Sequence, residues 1–275
     1  MILPSLLACA ALASPALAAC SREQLEAVTA AYVKAQAAGD PGLLAFAADA
    51  SYLENDKVTA VADGALGRAL AIDFDRSIHD TTACAAFTEL TAASDPDPRV
   101  IHTRILLAEG GEAGALRVAA IESVVARTGD WAFNATGHLY WTRQEAWGAI
   151  PAERRDAREV IQAAGDAYLD SWGDGGVTVP YGTPCARLEG GAYTGGRAPA
   201  ANTCTMPAFP EQFTVGNRRY VVDEELGAVS IFNDFPFIDA DKPEGTPSTN
   251  LIRVEDGKIR YIHEVTVCTN PGCGR

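Results

Sequence analysis

One pattern occurs twice in this chain and constrains its fold more than any other feature. An amphipathic helix, a break containing glycine and aspartate, and a strand that carries Leu-Glu follow one another. The first copy includes the stretch Tyr32–Asn55, and the second includes Tyr168 and the strand that follows it. In the second copy Arg187-Leu-Glu189 aligns with Tyr52-Leu-Glu54, at a spacing from the preceding tyrosine that differs by one residue. Because these features recur in the same order, we interpret the chain as an internal duplication.

Local signals predict a helix at the start of each copy. Ser21 followed by Gln24 predicts a capping box. Gly39-Asp40-Pro41 predicts the end of the helix, because glycine suits a left-handed exit and proline opens a following short helix. The second copy predicts its helix from about Asp156, with Tyr168 in the place of Tyr32. Spacings of three and four predict an apolar face on the first helix, made by Leu25, Val28, Tyr32 and Ala35.

Alternating apolar residues and turn residues predict the strands. In the second copy Glu225-Leu226-Gly227 is predicted to join two strands, and Asp256-Gly257 to turn the hairpin of Asn250–Val265. In the first copy the predicted strands are Ala50–Glu54, Cys84–Thr91, Val100–Leu107, Leu116–Ala126 and Trp131–Trp141. Short turns between such segments favour antiparallel pairing.

The amino terminus predicts export. Residues 1–19, MILPSLLACAALASPALAA, are uncharged and end in small residues, which is typical of a secretory signal. No later segment is apolar enough for a membrane span, so the mature chain is predicted to be secreted and soluble. Leu17-Ala18-Ala19-Cys20 also fits a bacterial lipoprotein cleavage site. The cysteine count favours the first interpretation, because acylation of Cys20 would leave another cysteine unpaired.

Six cysteines follow the predicted signal, an even number that predicts up to three disulfides in an oxidising compartment. The sequence does not determine their pairing. Cys185–Cys204 is the pair that we predict, because the segment 192–213 is rich in Gly, Pro, Ala and Thr and needs a covalent restraint. A loop of that length beside a pocket is predicted to act as a lid.

Charge and motifs exclude several classes of function. The net charge of −14 would repel a polyanion, so nucleic acid and anionic membrane surfaces are not expected partners. The chain has no GxSxG elbow, no P-loop and no GxGxxG after a strand. No cofactor and no metal are predicted, because metal-ligand spacing is absent among the histidines, which are His79, His102, His138 and His263.

The order of helix, Gly-Asp break, short helix and strand resembles the ketosteroid-isomerase and SnoaL-like group of the nuclear transport factor 2-like superfamily. The phrase FAADASYLEN, which follows the break, also resembles this group. The resemblance implies a curved, mostly antiparallel sheet around a cone-shaped pocket closed by helices. It also implies that a helix-one tyrosine donates to an enolate oxygen while a strand-one carboxylate moves the proton. Tyr32 and Glu54 occupy these positions. The alternatives are a core tyrosine and a carboxylate in solvent.

The second half is also similar to a family of secreted, mainly fungal proteins of unknown function. The shared phrases are PYGTPCARLEGG, RRYVVDEELGAVSIF and the last hairpin, VEDGKIRYIHEV, with its cysteine-containing tail. This resemblance covers most of the mature chain. It implies a secreted fungal source and carries no assigned chemistry.

The second copy is where we expect the chemistry. Arg187 and Glu189 share one strand face, as do Tyr261 and His263. If these faces line one concave pocket, acid-base groups are available there; an ion-pair network on the outer surface is the alternative. Glu189 or Glu54 would abstract a proton, with His263 as the partner acid or base. The groups that stabilise developing negative charge would be Tyr168, Tyr32 and Arg187.

We therefore predict an α+β protein of two cone-shaped, curved antiparallel sheets, each wrapped around helices and packed together as an internal pseudo-dimer. The predicted boundaries are a signal at 1–19, a first repeat at 20–145, a linker at 146–156 and a second repeat with a disulfide-pinned loop at 157–275. The predicted assembly is a monomeric pseudo-dimer or a homodimer.

The predicted function is that of a secreted, cofactor-independent lyase, isomerase or cyclase acting on a small organic molecule. The alternative is a secreted, non-catalytic protein that binds a small ligand or a carbohydrate. An enzyme should place Glu189 and His263 in one solvent-connected cavity, whereas side chains on opposite faces, or a cavity filled by Phe and Trp, would count against catalysis. The sequence determines neither the substrate nor the use of the glycosylation sequon at Asn134.

Overall fold

The computed structural model describes residues 20–110, 115–206, 212–236, 238–239, 242–269 and 273. The predicted signal lies outside these ranges, as do residues 207–211 of the predicted lid. The described chain is a mixed α+β protein with two six-stranded sheets. Its three α-helices are α1 (Arg22–Ala38), α2 (Ala135–Thr142) and α3 (Arg158–Asp170). None of these helices is long and apolar enough to cross a bilayer.

The first sheet is open and has the strand order β2-β1-β6-β5-β4-β3. Strand β1 runs parallel to β6, and the other neighbours are antiparallel. Its strands are β1 (Phe46–Glu54), β2 (Lys57–Val58), β3 (Phe74–Asp80), β4 (Ala85–Ala92), β5 (Arg99–Glu109) and β6 (Leu116–Ala126).

The second sheet repeats the topology of the first. Its order is β8-β7-β12-β11-β10-β9, again with one parallel pair, β7 and β12. Glu54 pairs with Ser123 in the first sheet, and Glu189, which aligns with Glu54 in sequence, pairs with Glu264 in the second. The two similar sheets indicate a tandem two-domain fold. The strands are β7 (Tyr181–Glu189), β8 (Ala192–Tyr193), β9 (Gly216–Asp223), β10 (Ala228–Phe235), β11 (Thr246–Glu255) and β12 (Lys258–Thr266).

The first helix begins and ends where its sequence predicts. The Ser21 side chain accepts a hydrogen bond from the Gln24 amide, and the Gln24 side chain accepts one from the Ser21 amide, which completes the capping box. Gly39 adopts φ 64° in the left-handed region and ends the helix. Its apolar face covers one side of the first sheet through Leu25 and Tyr32, both buried.

The third helix covers the corresponding side of the second sheet. Ile161 and Tyr168 belong to a core that also contains Ile231 and Ile262. Gly165 allows the close approach, since a Cβ at this position would lie 2.7 Å from the Ile231 side chain. Each sheet therefore has its own helix and its own apolar core.

The remaining faces of the two sheets pack against each other. Phe87 of β4 and Phe232 of β10 meet edge to face, with ring centroids 6.3 Å apart, and Val124 and Leu251 lie in the same core. Alternation along β4 explains why all eight of its residues are buried, because one side faces α1 and the other faces the second sheet. Any polar side chain on the inner side of β4 is therefore removed from water.

The segment predicted as a strand at 131–141 folds differently. Asn134 caps α2, since its Oδ1 accepts a hydrogen bond from the Gly137 amide. The strand prediction was wrong because aromatic residues dominate this segment, and they are as compatible with a short packed helix as with a strand. The sequon asparagine is exposed at the start of this helix.

All six cysteines that follow the predicted signal form disulfides. The predicted pair Cys185–Cys204 is confirmed, and its Cα atoms lie 5.6 Å apart. The other two pairs are Cys20–Cys84 and Cys268–Cys273. The first of them ties the start of α1 to the residue before β4.

Candidate active site

The predicted tyrosine and carboxylate of the first repeat lie between α1 and the first sheet. Tyr32 is buried and its hydroxyl lies 2.7 Å from Thr103 Oγ1, which in turn lies 2.8 Å from Ser123 Oγ. Glu54 Oε2 accepts hydrogen bonds from the Tyr52 hydroxyl at 2.8 Å and from the Ala65 amide at 2.6 Å. Burial raises the pKa of Tyr32, so its hydroxyl stays protonated. These side chains are all hydrogen-bonded within the protein.

Glu54 also lines a cleft of about 500 Å³ at the end of β1. Both repeats contribute to the cleft, since Lys242 and Cys268 belong to the second half of the chain. Its walls carry both signs of charge. Five basic residues are balanced by acidic neighbours, and the basic residues are Lys57, Arg68, Arg99, Arg127 and Lys242.

The corresponding region of the second repeat brings together three predicted residues. Tyr168 of α3 lies beside the Arg187 guanidinium, and Arg187 forms an ion pair with Glu189 on the same face of β7. Glu264 of β12 lies beside Glu189, because these two residues are partners in the parallel pair. Glu264 is fully buried, whereas the Glu189 side chain keeps 19% of its surface exposed. The result is a buried and a partly exposed carboxyl group side by side.

Unlike the Tyr32 hydroxyl and its partners, this region has buried polar atoms without hydrogen-bond partners. Arg187 lies next to the Tyr168 hydroxyl, but the contact lacks the geometry of a hydrogen bond. Native interiors satisfy most buried polar groups, so unsatisfied atoms close together are available to a polar ligand or to water. The atoms beside one another here are Tyr168 Oη, Arg187 Nε and Glu264 Oε2.

Glu264 is held in its neutral form. Burial, with a further contribution from the Glu189 charge, raises the pKa of Glu264 to about 8. Burial also raises the pKa of Tyr168 well above its usual range. At neutral pH the region therefore offers two neutral O–H donors, Glu264 and Tyr168, beside the ion pair of Arg187 and Glu189.

The two equivalent tyrosines give a direct test of this difference. We expect Tyr32→Phe to lower the free energy of unfolding by about 1 kcal/mol, because a buried hydroxyl pair with Thr103 is lost. Tyr168→Phe is expected to change it by less than about 0.5 kcal/mol or to stabilise the protein, because the hydroxyl has no partner to lose. Urea denaturation of both variants measures the two values. Equal losses would show that the Tyr168 hydroxyl is satisfied.

His263 and Glu189 lie on opposite faces of the second sheet, so the expectation that one cavity holds both is wrong. Adjacent strand residues point to opposite faces, so Glu264 faces α3 while His263 faces the first sheet. There His263 Nδ1 lies 2.7 Å from Glu89 Oε1, and its Nε2 lies 2.6 Å from Glu145 Oε2. His263 is fully buried between the repeats and is not available as the acid or base partner of Glu189.

Glu89 is the centre of this second polar cluster. Its Oε2 accepts a hydrogen bond from Arg76 at 2.9 Å, and its Oε1 faces three histidines. Burial opposes the charge on Glu89, but His263 and Arg76 outweigh it and hold the pKa well below its usual range. Burial likewise opposes the charge on His263, but Glu145 and Glu89 raise its pKa to about 9. Within the described part of the chain, the side chains whose metal-ligating atoms lie close together are Glu89, His138 and His263.

Sequence reasoning missed Glu264 and Glu89. Glu264 could have been found from the duplication, because the aligned parallel strands pair Glu189 with the residue after His263. Glu89 carried no such signal, since a single carboxylate in a strand gives no indication of what faces it.

Comparison with known proteins supports the second repeat as a unit. Residues 154–266 match a family described as Domain of unknown function (DUF8021). The matched segment begins just before α3 and ends with β12, and so covers less than half of the chain. Searches of curated proteins and of solved structures gave no match.

Proposed function

We propose that this protein is an enzyme that transfers protons within a small organic molecule, as a lyase, isomerase or cyclase, without a cofactor. The proposal places the reaction between α3 and the second sheet. It includes a nuclear transport factor 2-like cone for each repeat, with the two cones packed as an internal pseudo-dimer. The shared strand order and the helix on one face of each sheet support this fold. Three disulfides support an oxidising, extracellular location.

The observation that carries the proposal is the pair formed by Glu189 and Glu264. Two neighbouring carboxyl groups in different environments can act as base and acid in one reaction. Glu189 is partly exposed and paired with Arg187, whereas Glu264 is buried and held neutral. Tyr168 adds an O–H donor whose bond is not used within the protein.

Each group has a defined role in the proposed reaction. Glu189 removes a proton from a carbon next to a carbonyl group, and the electron pair moves to the carbonyl oxygen. Tyr168 donates a hydrogen bond to this oxyanion, and the Arg187 charge stabilises it. Glu264 supplies a proton to the product, either at another carbon or at a leaving group. The first outcome is an isomerisation and the second is an elimination.

Proton abstraction can be tested before the substrate is known. The protein is incubated in D2O with a panel of cyclic ketones, enones and hydroxy acids, and deuterium incorporation is followed by mass spectrometry. We expect catalysed exchange for at least one compound. Glu189→Gln should reduce its rate by at least about 100-fold, which is typical for the loss of a general base.

Two further variants make this test specific. Glu159→Gln on the exposed start of α3 is the matched control and should keep the wild-type rate. Glu54→Gln reports on the first repeat, and a loss of activity there but not in Glu189→Gln would reject the second repeat as the site. Absence of exchange across the panel, or full activity in Glu189→Gln, would overturn the proposal.

A non-catalytic binding function is the second candidate, and the cleft beside Glu54 favours it. A volume of about 500 Å³ lies in the range of small-molecule sites, and mixed charges suit a polar ligand such as a carbohydrate. Isothermal titration with monosaccharides, uronic acids and amino acids tests this function. Binding that is lost in Arg68→Ala would support it, whereas binding retained in that variant would reject the cleft.

A further inference from the structure

We propose that Glu89, His138 and His263 form a binding site for a divalent transition-metal ion, with Zn²⁺ as the best fit, between the two repeats. This site is separate from the carboxyl pair and does not depend on the proposed reaction. One oxygen of Glu89 and one ring nitrogen from each histidine lie within 4.8 Å of one another. All three side chains are fully buried.

The distances around Glu89 Oε1 are those of a contracted metal site. His138 Nε2 lies 3.4 Å from it and His263 Nδ1 lies 2.7 Å from it. Ligands bound at zinc distances in a tetrahedron lie roughly 3.3 Å apart, so the His263 contact must lengthen. Any wider gap among the three ligand atoms, which lie within 4.8 Å of one another, must close. His102 Nε2, 3.3 Å from the same oxygen, is a fourth group near the ion.

Each histidine is held by its other ring nitrogen, as is usual for metal ligands. His138 Nδ1 lies 2.9 Å from Thr91 Oγ1, and His102 Nδ1 lies 2.7 Å from Thr249 Oγ1. His263 Nε2 lies 2.6 Å from Glu145 Oε2. These contacts fix all three rings with the remaining nitrogen directed at Glu89 Oε1.

One of these nitrogens has no hydrogen-bond partner. His138 Nε2 is buried and unsatisfied, although it faces a carboxylate. A neutral histidine whose proton is on Nδ1, shared with Thr91, presents a lone pair at Nε2. Two lone pairs facing each other are unfavourable, and an ion between them would convert the repulsion into two bonds.

The ligand types select the class of metal. Imidazole nitrogens favour zinc and its neighbours over magnesium and calcium, which prefer oxygen ligands. The positive charge of Arg76 already pairs with the other oxygen of Glu89, Oε2. A cation attracted to Glu89 by charge alone, as magnesium or calcium would be, is therefore further disfavoured. The carboxylates of Glu89 and Glu145 offset the charge of the ion, which would replace the proton on His263 Nδ1.

A bound ion would connect the repeats. Glu89 lies on β4 and His138 on α2, both in the first repeat, whereas His263 lies on β12 of the second sheet. The disulfides involve every cysteine after the predicted signal, so thiolates of this region cannot account for bound zinc. Binding should therefore stabilise the packing of the two sheets.

The test uses tag-free protein that is unfolded with a chelator, with its disulfides intact, and refolded with or without Zn²⁺. Refolding is needed because the ligands are buried. After removal of loosely bound metal, we expect about one zinc per chain by mass spectrometry. The melting temperature should rise by roughly 5–10 °C at zinc concentrations about 100-fold above Kd.

His138→Gln is the decisive variant, because His138 Nε2 has no hydrogen bond to lose in the metal-free protein. It should fold without zinc, bind less than a tenth of the wild-type amount and show no zinc-dependent rise in melting temperature. His79→Gln is the matched control, since His79 is a buried histidine that contacts Thr29 away from the cluster. It should bind zinc as the wild type does.

Co²⁺ gives a measurement that does not depend on any variant. Refolding with Co²⁺ should produce the visible absorption of a four-coordinate ion. A refolded wild-type protein without zinc, or His138→Gln with wild-type zinc content, would overturn the proposal. A six-coordinate Co²⁺ spectrum would also overturn it, because it would indicate an ion bound at the surface.

Discussion

Replacement of Glu89 by glutamine is expected to lower the free energy of unfolding by about 3–5 kcal/mol. Glu89 is fully buried between the sheets and is the carboxylate that faces both Arg76 and His263. Glutamine keeps the shape but removes the negative charge, so buried Arg76 would lose its hydrogen-bonded counter-ion and His263 would keep only Glu145. Stability is lost because a buried charge is left without its partner, and the loss of a surface ion pair has no comparable effect.

Denaturation in guanidinium chloride with a chelator present measures this loss without a contribution from metal. Glu122→Gln is the matched control, since Glu122 also connects the repeats, through Arg104 at 2.9 Å and Arg219 at 3.1 Å, but keeps 16% of its side chain exposed. We expect it to cost about 1 kcal/mol or less. A loss below about 1 kcal/mol in Glu89→Gln would contradict the view that this carboxylate organises the interface.

Glu264→Gln is expected to make the protein less sensitive to alkaline pH. The pKa of Glu264 is raised from its ordinary value of 4.5 to about 8 in the folded protein. The folded state therefore binds more protons than the unfolded state between these values, and stability falls as the pH rises through this interval. Glutamine mimics the protonated acid, and its carbonyl oxygen can accept the same hydrogen bond from Thr266.

At pH 5 the variant and the wild type should differ by less than about 1 kcal/mol. By pH 9 the variant should be more stable by a few kcal/mol, since each unit of pKa difference corresponds to about 1.4 kcal/mol. Denaturation curves at unit pH steps measure the difference, and groups common to both proteins cancel. Parallel pH profiles for the two proteins would show that Glu264 is charged in the folded state. Glu189→Gln should reduce the wild-type slope, because the Glu189 charge contributes to the shift.

The accuracy of the sequence predictions depended on whether the signal was local. The capping box of Ser21, the left-handed Gly39 and the Asp256-Gly257 turn involve residues a few positions apart, and all three are confirmed. The strand prediction around Asn134 was wrong. The residue pattern there was compatible with both a helix and a strand, and packing on the sheets selected the helix.

The candidate site was predictable in part. Tyr168, Arg187 and Glu189 do lie together, because helix position and strand alternation fix their directions within one repeat. Whether they act in catalysis stays a prediction. Glu264, the partner of Glu189, depends on which strands pair in parallel, and the sequence gives only an indirect indication of that pairing.

The sequence by itself indicated the recurring helix, break and strand of each copy, because these depend on neighbours along the chain. It favoured Cys185–Cys204 as a disulfide without determining the pairing. Only the tertiary structure decided that His102, His138 and His263, widely separated in sequence, converge on Glu89. It also decided that His263 faces away from Glu189. The physical reason is that both faces of these sheets are covered, so the side on which a polar residue lies depends on what packs against the sheet.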